Sequence, residues 1–149
     1  MKINRRLSTQ ISIAACVIAG LIFAAMLPIL PKSWEFILTG WNELGGTYCL
    51  TLSLLYAAFS LGITACVLLL LLLRNVLREN VFCDRTVAYI RFISWLCFGA
   101  MALFYAVSYF HWRMIPVAFA CMFLGLVLRV VKNVIEEATA IKNENDLTV

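Results

Sequence analysis

Hydrophobic positions along this chain fall into four long runs rather than into the alternation of a half-buried strand. Residues 11–30, 47–73 and 92–112 carry no Asp, Glu, Lys or Arg, and residues 115–135 carry only Arg129 and Lys132, near the end of the run. A helix rises ~1.5 Å per residue and the hydrocarbon core of a bilayer is ~30 Å thick, so about 20 apolar residues cross it. A helix also pairs its backbone N–H and C=O groups internally, as lipid requires. The pattern predicts an all-α integral membrane protein with four transmembrane helices, at about residues 9–30, 47–73, 87–112 and 115–141, in one domain spanning 1–149.

Composition narrows the class further. Hydrophobic residues make up 64% of the chain and charged residues 13%, against ~25% charged in an ordinary soluble domain. A single small core cannot bury that much apolar surface, which excludes a soluble globular domain, and so much apolar content excludes a disordered chain. The basic residues set the expected threading. With the N-terminus inside, the cytoplasm receives Lys2, Arg5, Arg6, Arg74, Arg78, Arg85, Arg91, Arg129, Lys132 and Lys142, and only Lys32 and Arg113 lie outside. Positive charge resists translocation, so both termini are expected in the cytoplasm. The first helix is expected to remain uncleaved, since its apolar run is longer than a signal-peptide core and lacks a clean small-residue cleavage site.

The connections differ in character. In the outer loop, residues 31–46, an apolar face recurs through Trp34, Ile37, Leu38, Trp41 and Leu44, with Ser33 placed to cap it and Gly45-Gly46 to end it. This spacing predicts a short interfacial helix lying on the outer leaflet. Tyr105, Tyr109 and His111 cluster near the tight outer turn and form a candidate outer cavity, against the simpler reading of a solvated histidine at the interface. The inner loop, residues 74–91, is basic through Arg74, Arg78, Arg85 and Arg91, which suits anionic headgroups. Asp84 is placed to cap a helix that leads through Val87, Ile90 and Ser94 into the third span. The tail, residues 136–149, is acidic through Glu136, Glu137, Glu144 and Asp146, and its Asn-rich end is expected to break the helix beyond Ile141.

Recognisable chemistry is absent from the sequence. The six cysteines form no C-x-x-C, and one histidine with scattered thiols makes no metal-ligand set. Nucleophile elbows, phosphate loops and H-E-x-x-H are missing. The expectation is a protein that is not an enzyme, has no cofactor or metal site and binds no nucleic acid directly. All eight acidic residues lie outside the four apolar runs, which disfavours an ion-coupled transporter, because the coupling ion needs a carboxylate to bind. What the helices do offer is packing surface. Ser12, Cys16, Gly20 and Ala24 form a small-residue stripe on helix one that permits close helix approach, within the chain or in a homo-oligomer.

Two stretches carry a family resemblance. Val81-Phe82, Val87 and Arg91-Phe92-Ile93-Ser94-Trp95 precede the third span. Val134-Ile135-Glu136-Glu137-Ala138 and Asn143-Glu144-Asn145-Asp146-Leu147-Thr148-Val149 close the chain. Together they resemble the bacterial four-pass membrane family called domain of unknown function 2975. The resemblance brings no activity; it implies pairing with a small cytoplasmic helix-turn-helix regulator. The reading reached here is a non-enzymatic protein of the inner membrane that regulates or senses through a cytoplasmic partner. A small transporter or channel subunit, or an immunity or stress-tolerance protein, is the alternative. Two arrangements of the tail follow: Glu136 and Glu137 pair weakly with Arg78 or Arg85 of the same chain, or the tail stands free for a basic partner.

Overall fold

The computed structural model describes residues 2–38, 45–77 and 84–147, with side chains for 9–32, 48–77, 85–141 and 144. Four helices follow in chain order: α1 (Lys2–Leu38), α2 (Gly45–Leu77), α3 (Asp84–Ser108) and α4 (Ile115–Leu147). Each contains a stretch long and apolar enough to cross a bilayer, Thr9–Lys32, Tyr48–Leu77, Arg85–Ser108 and Trp112–Ile141. Even in the most enclosed of these, Arg85–Ser108, only 22% of the apolar stretch is buried inside the protein. The remaining apolar surface has no protein to cover it, and lipid is the solvent that accepts it.

The helices pack in sequence order. α1 lies on α2, α2 on α3 and α3 on α4, the last pair sharing the most extensive interface. Among the described residues, no close backbone approach links α1 to α3 or α4, or α2 to α4. Toward one end, Leu30, Leu55 and Val107 form a buried cluster from the first three helices, with Phe59 and Met114 packed against it. Midway, the Phe23 ring covers Gly62, where an added Cβ would lie 3.4 Å from it, and meets Phe59 edge-on at 5.7 Å. At the opposite end Val87, Ile90, Ile93 and Ser94 are buried along α3.

α1 begins at Lys2 rather than near residue 9, α2 runs on to Leu77 rather than ending near residue 73, and three further boundaries differ from those the sequence predicts. First, α1 continues without a break through Pro28 and Pro31 to Leu38, so Ser33 lies inside a helix rather than capping a new one. Pro31 has no N–H to give the carbonyl of Leu27 one turn back. Tyr56 of α2 replaces it, its hydroxyl donating to the Leu27 carbonyl at 3.1 Å. A second tyrosine, Tyr48, donates to the Pro31 carbonyl at 3.5 Å. A neighbouring helix thereby supplies the donor that the proline removed, as membrane helices with internal prolines require. Trp41 and Leu44 of the expected interfacial segment lie outside the described residues. Tyr56→Phe is expected to leave the Leu27 carbonyl unsatisfied and to cost about 1–3 kcal/mol, read as a lower thermal unfolding midpoint in detergent. An unchanged midpoint would show that the carbonyl finds another donor.

Second, α3 ends at Ser108 rather than near residue 112. The amides of Phe110 and His111 both donate to the Val107 carbonyl at 3.0 Å, and His111 leaves helical geometry with φ −134° and ψ 90°. Trp112–Met114 then form a single 3-10 turn into α4. Third, α4 does not stop near Ile141 but runs to Leu147. Helix propagation is cheaper than nucleation, so a few residues of poor propensity extend a long helix that already exists. The start of α3 at Asp84 agrees with the expected position of its first turn.

Candidate functional site

Charged side chains from α3 and α4 converge at the end of the molecule opposite the Trp112–Met114 turn. On α3, Arg91, Ser94 and Trp95 are spaced three and four residues apart and share one face. On α4, Arg129, Lys132 and Glu136 do the same. Ser94 fixes the two helices together: its buried hydroxyl donates to the Gly125 carbonyl at 2.9 Å. Glycine allows the approach, because a Cβ at Gly125 would lie 3.4 Å from Cys97 Cβ and 3.3 Å from Phe98 Cζ.

Around this crossing the ionic groups are arranged in order. Glu136 accepts from Arg91 across the helix pair, Nη2 to Oε1 at 3.4 Å, and its other oxygen meets Lys132 one turn back on α4. Arg129 stacks over Trp95, with Cζ 5.3 Å from the ring centre, and also over Phe98 at 5.9 Å. Trp95 and Phe98 in turn meet edge-on at 6.3 Å. Arg91, Ser94, Trp95, Arg129 and Lys132 line a groove of about 80 Å³.

The residues singled out by sequence are distributed unevenly over this arrangement. Arg91 and Glu136 are brought together, so Glu136 pairs with Arg91 and Lys132 rather than with Arg85. Helix geometry explains the choice: Arg91 lies about two turns into α3, level with the end of the apolar part of α4. Arg85 is exposed on the first turn of α3, and Arg74 is exposed near the end of α2. Arg78 lies outside the described residues, as does the side chain of Asp146. Glu137 and Glu144 are exposed on α4. Tyr105 and Tyr109 are 68% and 86% exposed, and His111 is partly buried. On α1, Cys16 is buried with its thiol donating to the Cys66 carbonyl at 3.4 Å, and a Cβ at Gly20 would meet Cys66 Cβ at 3.7 Å. Ser12 and Ala24, from the same stripe, are exposed.

Ser94, Arg129, Lys132 and Trp95 join the cluster without being candidate site residues in the sequence, and Trp95 is the least expected of them. Its signal in the sequence is the i, i+4 spacing from Arg91, opposite an arginine embedded in an apolar run. Among the described residues no group of three or more His, Cys, Asp and Glu side chains is arranged to hold a metal ion.

Four apolar helices packed in series, with their ionic residues gathered toward the ends, define a multi-pass α-helical membrane protein. Residues 34–149 match the profile of a family described as protein of unknown function, DUF2975, and the chain belongs to that family. No curated protein and no solved structure matches it.

Proposed function

We propose that the protein is a non-enzymatic regulatory or sensory component of the cell membrane, and that its output is the end of α4, which holds a basic cytoplasmic protein. The observation that carries this reading is the length of α4. Counted from Ile115, Glu137 lies about 33 Å along the helix, past a hydrocarbon core ~30 Å thick, and the helix continues to Leu147. Along that projection Val134, Glu137, Ile141 and Glu144 recur at three- and four-residue spacing and are all exposed. Such a stripe, apolar and acidic in alternation, suits a helix-binding surface of opposite charge. Glu136 is not part of it, being turned toward Arg91 and Lys132. By the family resemblance, a helix-turn-helix regulator is the partner of choice.

This reading places both termini and the α2–α3 connection in the cytoplasm, with the α1–α2 connection and the Trp112–Met114 turn outside. The ten-to-two distribution of basic residues supports it. The segment 31–46, rich in tryptophan, then borders the outer leaflet, where such rings prefer the headgroup level. Cysteine-accessibility labelling in intact cells, after removal of native thiols, tests the threading. Trp112→Cys is expected to react with an impermeant maleimide, whereas Ser8→Cys and Arg85→Cys react only after permeabilisation. Labelling of Ser8→Cys in intact cells would invert the threading and remove the tail from the cytoplasm.

A further inference from the structure

The ionic cluster between α3 and α4 has more positive charge than its own carboxylate can balance. Arg91, Arg129 and Lys132 border one groove, and Glu136 is the acid that meets two of them. Three cations against one carboxylate leave two formal positive charges. Among the described residues no carboxylate lies within ion-pair distance of Arg129, whose guanidinium rests on Trp95 and Phe98. Stacking occupies the face of a guanidinium and leaves its edge of N–H donors unspent.

The depth of the cluster sharpens the question of what those donors meet. Arg129 stands about 21 Å along α4 from Ile115, and Lys132 and Arg91 stand about 26 Å from Ile115 and Ser108 respectively. All three Cα positions therefore fall within the last two turns of a ~30 Å hydrocarbon core. A charged side chain at that depth reaches toward the headgroup layer. Trp95 is 59% exposed, so its ring borders the groove and the surrounding lipid at once. Ser94, whose proton is committed to the Gly125 carbonyl, holds the two helices at the spacing that sets the groove's width.

We propose that this groove binds a phosphoryl anion, supplied by the headgroup of an anionic phospholipid. Arg129 and Arg91 donate to the phosphate oxygens, Lys132 adds charge, and the Trp95 ring lies against the lipid's upper acyl or glycerol carbons. Glu136 competes with the phosphate for Arg91 and Lys132. The geometry does not depend on which leaflet the site faces, so it stands or falls separately from the orientation proposed above.

Trp95 reports on its own neighbour. The chain has four tryptophans, and replacing Trp34, Trp41 and Trp112 by phenylalanine leaves Trp95 as the sole indole. The full-length protein is placed in phosphatidylcholine nanodiscs containing a minor fraction of phosphatidylglycerol, with bromine on the acyl chains of one lipid or the other. Brominated phosphatidylglycerol is expected to quench Trp95 well beyond its share of the lipid. Arg129→Gln is expected to lower that preference about fivefold, Arg129→Lys to retain most of it, and Arg113→Gln, which removes a cation at the opposite end of the molecule, to leave it unchanged. Glu136→Gln is expected to raise it by removing the competitor. Quenching at the level of random mixing, or a preference untouched by Arg129→Gln in a protein that unfolds normally, overturns the proposal. A separate arm adds inorganic phosphate to discs of phosphatidylcholine alone. An Arg129-dependent change in Trp95 emission there, with random lipid quenching, would keep the phosphoryl site but overturn the lipid as its source.

Discussion

Gly125→Leu is expected to destabilise the protein by about 1–3 kcal/mol from overpacking alone, with a corresponding fall in its thermal unfolding midpoint in a fixed detergent. A Cβ at this position already meets Cys97 Cβ at 3.4 Å and the Phe98 ring at 3.3 Å. The first atom belongs to the neighbouring helix close to its backbone and cannot swing aside; the second can. Gly125→Ala therefore asks only for a small rotation of Phe98 and gains the helix propensity of alanine, ~1 kcal/mol over glycine. That variant is expected to unfold near the wild-type temperature. Leucine adds three further carbons to a space that has none, so α3 and α4 must separate. Separation also stretches the buried bond from Ser94 to the Gly125 carbonyl. Association of helices in a membrane relies on close packing, because lipid tails solvate apolar side chains as well as a neighbouring helix does. The lost contact therefore has no hydrophobic compensation. Equal unfolding of the leucine variant and the wild type would show that this crossing contributes little to stability.

Reversing two charges at the end of α4, Glu137→Lys with Glu144→Lys, is expected to weaken capture of a basic cytoplasmic partner about a hundredfold while leaving folding unaffected. Placing like charges across an interface costs several kcal/mol, which corresponds to that factor. Both carboxylates are exposed, whereas Glu136 bridges Arg91 and Lys132. The distinction decides how the tail should be tested. Removing everything from Glu136 onward would also remove Thr139, which is 4% exposed and whose hydroxyl donates to the Ile135 carbonyl. A fold defect and a binding defect would then be confounded. The charge reversal, or a cut after Ile141, keeps both residues. A photocrosslinking residue at position 145 in cells should yield one adduct with a soluble protein, lost in the reversed variant. An adduct retained at full yield, in a variant with an unchanged unfolding midpoint, would show that the partner is recognised elsewhere.

Several features of the fold were legible because they depend on neighbours in sequence. Four charge-free or nearly charge-free runs of spanning length dictate four helices, since backbone pairing in lipid leaves few alternatives. The first turn of α3 could be placed from Asp84 and the apolar positions that follow it. The small residues Cys16 and Gly20 marked where α1 can approach another helix. Even here the stripe was only partly informative, with Ser12 and Ala24 left exposed.

The sequence by itself determined that the chain crosses a membrane in four helices and where its charges gather. Only the tertiary structure decided that α1 survives two prolines, because the donor that replaces the lost amide is Tyr56, 29 residues away. It also decided that Glu136 meets Arg91 rather than Arg85, and that Arg129 lies on Trp95. The physical reason is rotational. A soluble helix has a polar face that water orients outward, so its periodicity announces which side meets a neighbour. A span that is apolar all round has no such mark, and lipid accepts every face equally well. Which residues of α3 and α4 face each other is settled by where a glycine lets two backbones approach and where a serine can bond across the gap.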